Sequence, residues 1–313
     1  MSIVNVISCT TSSGNTGTPS CYIDMKKITD VIIAPVGFKF TAANLATEAA
    51  FKAAVQAATL AGKSARIYPI SNIIEMTDSS EETQYETAGY GDKRFIREGD
   101  YSFKFGFWKG GLCLNKQLRT FNSGSWTVYL VDAENTVYGH LVEGELFGFT
   151  TEFHAEKPKV ADGAVSSKYM FEVNLPTPEE LADDFGSVKL SFNFASQIKG
   201  ILNATVTVLA STETYVDVKL TTDCGGVDLY DFYSTELADV TAFVIKNSGG
   251  TAVTPSLVAA QPTTKSWRVT ATLTAGTYTA EGNTPAILAA LGVGASPANG
   301  IETPTATSFT TTS

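Results

Sequence analysis

His140 and His154 are the only imidazoles in this chain of 313 residues, and both lie near carboxylates. Glu152, His154 and Glu156 alternate along a predicted strand, so their side chains share one face. His140 lies on the strand predicted to pair with it. Imidazole and carboxylate groups together can hold a divalent cation. The same alternation is typical of a solvated acidic strand face, which we favour, so the sequence predicts no metal site.

Phosphate-binding and nucleophilic motifs fail on their required spacing. Gly62-Lys63-Ser64 resembles the end of a phosphate loop, but position 57 is alanine where that loop needs glycine, and the triplet ends a predicted helix. A catalytic triad needs an oriented base, and neither histidine accompanies a recognisable nucleophile turn. Carboxylate pairs of the glycosidase type cannot be assigned from spacing alone. We therefore predict no catalytic residue, no cofactor and no enzyme activity.

The chain contains four widely spaced cysteines, Cys9, Cys21, Cys113 and Cys224, with no Cys-x-x-Cys pair. This spacing argues against a zinc ribbon or a dithiol redox motif. A chain of this size does not need a covalent staple. A disulfide between Cys9 and Cys21 is the alternative, and free thiols are the prediction.

Acidic residues outnumber basic ones by 32 to 22, which gives a formal net charge of −10. General binding to nucleic-acid phosphates needs a cationic face, so this charge balance excludes it. The longest apolar runs, such as Val31–Val36, are far shorter than the roughly 20 residues of a membrane helix. The N-terminal residues lack a basic region and a long apolar stretch, so we expect no secretory signal and no membrane partner.

Residues 28–198 are predicted to form a β domain with one flanking helix at 42–60, where alanine is dense and apolar residues recur at helical spacing. The polar segment 77–100 is too long for an ordinary connection. It is functional, disordered or a projecting hairpin, and we favour a projection. After it, Tyr101, Phe103, Phe105 and Phe107 alternate with smaller or polar residues. That alternation predicts a half-buried strand whose aromatic residues pack in the core instead of forming a sugar-binding platform.

Short strand segments separated by turns run from residue 199 to 292, which predicts an immunoglobulin-like β-sandwich without the cysteine pattern of antibody domains. Residues 1–27 are predicted to form an extended polar arm, and the threonine-rich residues 293–313 a tail. The predicted fold class is therefore mostly β. It comprises a sandwich or barrel-like assembly domain with one flanking helix, followed by a second sandwich.

This order of a polar arm, β segments, one slim helix, a long polar projection and aromatic strands resembles the tail tube (major tail) proteins of tailed bacteriophages, over roughly residues 20–195. In that family a β-sandwich with a flanking helix forms stacked hexameric rings around a DNA channel, and some members carry an outer immunoglobulin-like domain. One departure is that the helix precedes the long projection here.

The resemblance implies a virion structural protein that is made in the host bacterial cytoplasm and located in the viral tail. Its partners would be further copies of itself and other tail proteins, with DNA passing through without specific binding. The resemblance assigns the contacts between subunits to the arm and to the projection, where the candidates are Glu81, Glu82, Tyr85, Tyr90, Lys93, Arg94 and Arg97.

Two other functions fit the same composition. The threonine- and serine-rich β character suits a secreted or surface adhesin that binds carbohydrate or protein, although the expected lack of a signal and the predicted free thiols argue against it. A capsid or decoration protein of a virion is the other alternative.

Overall fold

The computed structural model describes residues 25–293 and 299–312, apart from 88, 109–110, 123, 163–165, 183 and 304. The chain divides into two compact units. Unit 1 contains the described residues up to Ala58 together with Gly62–Ile198, and unit 2 contains Thr59–Ala61 and the described residues from Lys199 onward. The predicted arm lies outside the described residues as far as residue 24.

Thirteen strands of the described residues precede residue 199. They are β1 (Ile28–Pro35), β2 (Lys39–Phe40), β3 (Tyr68–Ser71), β4 (Glu75–Asp78), β5 (Gln84–Thr87), β6 (Lys93–Arg97), β7 (Tyr101–Phe107), β8 (Ser125–Asp132), β9 (Thr136–Val142), β10 (Glu145–Phe147), β11 (Phe149–Ala155), β12 (Tyr169–Leu175) and β13 (Phe185–Lys189). The helices before residue 199 are α1 (Glu48–Leu60), α2 (Gly111–Leu118), α3 (Pro178–Ala182) and α4 (Phe194–Gln197), with a 3-10 turn at Arg119–Phe121.

Eleven of these strands form one antiparallel sheet, in which β2, β10, β9, β8, β11, β12, β7 and β4 follow one another. β1 pairs with β8 and β3, and β13 pairs with β9. One edge of β8 pairs with β1 from Trp126 to Asp132, while the opposite edge pairs with β11 at one end and with β9 at the other. The sheet therefore branches at β8.

The paired strands β1 and β8 separate two hydrophobic cores. Val31 and Ile33 face the first core, whereas Ile32 and Ala34 face the second. β8 alternates in the same way, so the middle of each strand is buried on both faces and is continuously apolar, at Val31–Ala34 and Val128–Val131. The first core contains the aromatic residues of β7, β11 and β12, including Phe105, Phe107, Phe153 and Phe171.

Helix α1 covers the second core with Phe51 and Val55, which are four residues apart and therefore lie on one helical face. The ring of Phe51 lies 4.7 Å from that of Phe40, between ring centroids. The helix begins at Glu48 and not at 42, because Thr41 and Asn44 hydrogen-bond to each other in a separate turn. The Thr47 hydroxyl instead accepts the backbone N–H of Ala50 at 3.1 Å, which caps the helix.

Unit 2 is a two-sheet β-sandwich. Its strands are β14 (Leu202–Ser211), β15 (Tyr215–Thr222), β16 (Phe243–Asn247), β17 (Ala252–Val253), β18 (Leu257–Gln261), β19 (Ser266–Thr270), β20 (Gly276–Gly282), β21 (Ile301–Glu302) and β22 (Thr307–Thr311), with short helices α5 (Tyr230–Tyr233) and α6 (Pro285–Ala290). One sheet has the order β18-β19-β15-β14-β21 and the other β17-β16-β20-β22. Fully buried Trp267 of the first sheet lies 5.8 Å from Phe243 of the second, between ring centroids, so one core joins the two sheets.

The prediction of a mostly-β fold with a flanking helix is confirmed, but the predicted tail at 293–313 is wrong. Within its described residues, β21 pairs with β14, and β22 pairs with β20 along five residues. Phe309 and Thr311 alternate inward, and the ring of Phe309 lies 5.7 Å from that of Tyr278. The threonine-rich segment around Phe309 is therefore the edge strand β22 of the second sheet and not a tail.

Candidate assembly surface

Strands β4 and β7 extend beyond the sheet as one long hairpin. Their ladder ends at the pair Asp78 and Phe103. The backbone N–H of Ser79 then donates to the carbonyl oxygen of Ser102 at 2.8 Å, and the N–H of Glu81 donates to that of Asp100 at 3.0 Å. The same two chains continue as β5 and β6, which form a separate two-stranded sheet.

We call residues 79–100 the distal arm. All nine strand residues of β5 and β6 are exposed. At about 3.3 Å per residue, the nine steps from Asp78 to Thr87 correspond to an extension of about 30 Å. The difference from the predicted segment 77–100 is small, because Thr77 and Asp78 still belong to β4.

Large apolar side chains are exposed along the distal arm: Tyr85, Tyr90, Phe95 and Ile96. Tyr85 and Phe95 are cross-strand partners with ring centroids 6.2 Å apart, and the Lys93 ammonium lies 5.9 Å from the Tyr85 ring. A shallow cleft of about 510 Å³ is lined by Glu86, Arg94, Phe95 and Ile96. A two-stranded hairpin is marginally stable in water, and clustered exposed apolar residues are typical of interaction surfaces.

All seven contact candidates from the sequence lie on the distal arm: Glu81, Glu82, Tyr85, Tyr90, Lys93, Arg94 and Arg97. They do not play equal parts there. Arg97 is engaged within the arm, since it donates to Glu81 at 2.8 Å and lies 3.8 Å from Asp100. Arg94 stands opposite Glu86 in the ladder. The aromatic residues and Lys93 therefore form the part of the arm most available to a partner.

Polar groups collect where the distal arm leaves the sheet. The hydroxyls of Ser79 and Ser102 lie 2.9 Å apart, and Ser102 donates to a carboxylate oxygen of Glu172 on β12 at 3.0 Å. Sequence reasoning did not single out these residues, because their proximity depends on the register of β4, β7 and β12.

Lys104 lies beside these groups, and a serine next to a lysine invites comparison with serine–lysine catalysis. The Lys104 ammonium lies 3.2 Å from Glu156 and 3.6 Å from Glu172. Hydrogen bonding to Glu156, followed by the charge of Glu172, raises the pKa of Lys104. A lysine held in its protonated form cannot accept a proton from Ser102, so Lys104 does not act as the base of a serine–lysine pair.

The two histidines lie apart in the sheet, contrary to the expectation that they share paired strands. β11, which carries His154, pairs with β8 and β12, whereas β9, which carries His140, pairs with β8, β10 and β13. His140 stacks on Phe147 with ring centroids 5.5 Å apart, while His154 is exposed opposite Glu172. Among the described residues, no group of three or more acidic, histidine or cysteine side chains is arranged to hold a metal ion.

The aromatic strand at 101–107 packs inward as predicted. Phe103, Phe105 and Phe107 are buried in the first core, and Tyr101 is half-buried. Gly62-Lys63-Ser64 follows the C-terminal end of α1, consistent with its interpretation as a helix stop. The described helices include none long and apolar enough to cross a membrane.

The prediction of free thiols is wrong for Cys113 and Cys224. Both are disulfide-bonded, and no cysteine among the described residues is free. Cys9 and Cys21, for which a mutual disulfide was the alternative, lie outside the described residues. Separation along the sequence does not report separation in space, so the wide spacing carried no information about pairing.

The chain was also compared with family models, with curated proteins and with solved structures. None of the three comparisons found a match.

Proposed function

We propose that this protein is a structural subunit that assembles with further copies of itself through the distal arm. The observation that supports this proposal is the exposed two-stranded sheet β5–β6, with Tyr85, Phe95 and Ile96 each more than half exposed. The stabilisation that these side chains could provide by burial, about 2 kcal/mol each, is gained only when another surface covers them.

A second copy is a suitable partner because the arm offers both open backbone edges and charges of both signs. Its sequence contains six acidic and three basic residues, so a repeated or symmetric contact can place opposite charges together. The free N–H and C=O groups of a strand edge also favour pairing with another strand. Assembly would thus use backbone hydrogen bonds for affinity and the aromatic residues for burial.

The finer assignment that we propose is a subunit of a bacteriophage tail tube, built from stacked rings that are hexameric in the family this chain resembles. Supporting features are the mostly-β unit 1 with its helix α1, the separate sandwich of unit 2 and the projecting arm. The net charge of −10 suits a channel through which DNA slides without binding. In this role the protein belongs to the virion, and its other partners are neighbouring tail proteins.

Deletion of residues 79–98 tests the arm, with assembly followed by sedimentation velocity and negative-stain electron microscopy. We expect the wild-type protein to form rings or tubes. The deletion variant should remain dispersed, and its circular dichroism spectrum should show that the fold is intact. Leu257→Ser is a matched control, because Leu257 on unit 2 is 56% exposed, much like Phe95 at 58%. It should assemble like the wild type.

The proposal would be refuted by tubes that form equally well without the arm. It would also be refuted if the wild-type protein stays monomeric at every concentration tested and instead binds glycans on an array, which is the result expected of an adhesin. Rings without tubes would support self-assembly and reject the tube.

A further inference from the structure

The junction between the sheet and the distal arm has few backbone hydrogen bonds. Between the last pair of β4–β7 and the first pair of β5–β6, the described backbone bonds that cross the junction are those from Ser79 to Ser102 and from Glu81 to Asp100. Two bonds over this length would allow the arm to swing about its base. An arm that swings has to be ordered each time it binds, and that ordering weakens binding.

Side chains supply the missing connections. Glu172 accepts from Ser102 at 3.0 Å and from Ser79 at 3.4 Å through the same carboxylate oxygen, and the two hydroxyls lie 2.9 Å apart. We call Ser79, Ser102 and Glu172 the base cluster. Ser79 begins the distal arm, Ser102 lies on β7 just beyond the other end of the arm, and Glu172 lies on β12, the neighbour of β7. The base cluster therefore joins both sides of the junction to the main sheet.

The backbone at the base is also packed closely. A Cβ atom added to Gly99 would lie 2.1 Å from the carbonyl oxygen of Glu81, which no side chain can tolerate without movement of the backbone. On the opposite strand, the Ser80 hydroxyl accepts the N–H of Ser102 at 3.0 Å and donates to Asp78 at 2.6 Å. The two strands are therefore in close backbone contact at the place where a hinge would otherwise lie.

We infer that the base cluster is a positioning element that holds the distal arm in one direction, so that the arm meets its partner already ordered. This inference rests on the proposed role of the arm as a contact between copies. Among the described residues, Glu172 hydrogen-bonds to Ser79 and Ser102 and pairs with Lys104 at 3.6 Å, so its effect on the arm passes through the two serines.

Hydrogen–deuterium exchange of the full chain tests the base cluster without requiring assembly. Hydrogen bonds to a charged acceptor contribute about 1.5–3 kcal/mol, so Glu172→Ala should increase opening of the junction at least about tenfold. The amides of Ser79 and Glu81 should exchange faster by that factor, while β8 and β1 keep their protection. Glu172→Gln retains an acceptor oxygen and should stay within about threefold of the wild type.

Glu152→Ala is the matched control, because Glu152 lies on the same face of the sheet, is exposed, and faces Asn174 in the neighbouring strand. It should leave exchange and assembly unchanged. Ser79→Ala provides a second route to the same loss without removing the partner of Lys104. In the assembly assay, the protein concentration needed for half-maximal assembly should rise about tenfold for Glu172→Ala and return close to wild type for Glu172→Gln.

Unchanged exchange at Ser79 and Glu81 in Glu172→Ala and Ser79→Ala would overturn the inference. The inference would also be overturned if Glu172→Ala exchanges faster at these amides but assembles like the wild type, while deletion of residues 79–98 abolishes assembly. In that case the role of the arm as a contact stands. If the deletion variant still assembles, the proposed function fails, and the exchange rates alone then decide whether the cluster orders the arm.

Discussion

Asp132 at the turn between β8 and β9 is the buried acid whose removal should destabilise unit 1 most clearly. The side chain is 1% exposed. One carboxylate oxygen accepts the N–H groups of Glu134 and Thr136 at 2.9 and 2.8 Å, and the other accepts the hydroxyl of Tyr138 at 2.7 Å. Asp132→Ala therefore removes three hydrogen bonds to one charged acceptor.

The loss of stability in Asp132→Ala depends on which of the three lost hydrogen bonds water can replace. Residues 133 and 134 are exposed and Thr136 is half-buried, so water can replace the acceptor of the Glu134 N–H more readily than that of Thr136, whereas the Tyr138 hydroxyl is buried in unit 1. Bonds to charged groups contribute about 1.5–3 kcal/mol, and a buried donor left without an acceptor costs about 1–3 kcal/mol. We expect Asp132→Ala to lower the free energy of unfolding by about 3–5 kcal/mol, and Tyr138→Phe by about 1–2 kcal/mol.

Urea unfolding followed by circular dichroism measures both variants, with the double variant closing a mutant cycle. The cycle should show coupling between the two side chains, because the Tyr138 bond is lost only once. Asp239→Ala is the control: Asp239 also caps a turn, accepting from the N–H and hydroxyl of Thr241, but it is less buried than Asp132. It should have a much smaller effect. A loss below about 1 kcal/mol for Asp132→Ala would refute the assignment of this carboxylate as a buried turn acceptor.

Two further predictions concern the tyrosines and the last strand. Burial raises the pKa of both Tyr129 and Tyr138, so the folded state favours the protonated phenols; their contribution is complete below the ordinary pKa of 10.0 and is lost as the pH rises above it. The free energy of unfolding should therefore fall above about pH 10. Urea unfolding from about pH 8 to 11 should show a smaller fall in Tyr129→Phe than in the wild type. An equal fall of the unfolding free energy with pH in both proteins would contradict this. Phe309→Ala removes a buried ring from the sandwich core and should destabilise unit 2 by about 3–4 kcal/mol, seen as unfolding of unit 2 at lower urea. A change below about 1 kcal/mol would indicate that β22 is dispensable.

The strands that could be predicted are those whose sequence pattern follows burial. The aromatic alternation of β7 and the apolar run of β1 both reflect the faces they bury, and the structure places them in the cores accordingly. The excess of acidic residues and the absence of the spacing that phosphate-loop motifs require could also be read from the sequence. These features depend on residues close together in the sequence, so the sequence alone is enough to recognise them.

Other elements depend on contacts distant in sequence. Helix α2 follows glycine and contains Cys113 and Asn115, which are poor helix formers, yet Leu118 is buried and Asn115 donates to the carbonyl oxygen of Glu156 at 3.0 Å. The separation of the histidines and the base cluster depend on strand order and register. That Cys113 and Cys224 are each disulfide-bonded likewise depends on the fold, because sequence spacing does not show which cysteines have a partner within reach.

The two-sided burial of β1 and β8 has a consequence for how this chain can vary in evolution. In most half-buried sheets a one-residue insertion exposes apolar side chains to water, and the error is costly at once. Here the same insertion would exchange the occupants of the two cores, placing Ile32 where Ile33 had been, at little cost in hydrophobicity. Polar residues at the ends of the pair, Asp30 and Asp132, together with the irregular pairing between Ile28 and Asp30, are then what distinguishes the correct alignment from its neighbour. Sequence drift in the apolar middle of β1 and β8 should therefore be freer than drift at these two acids.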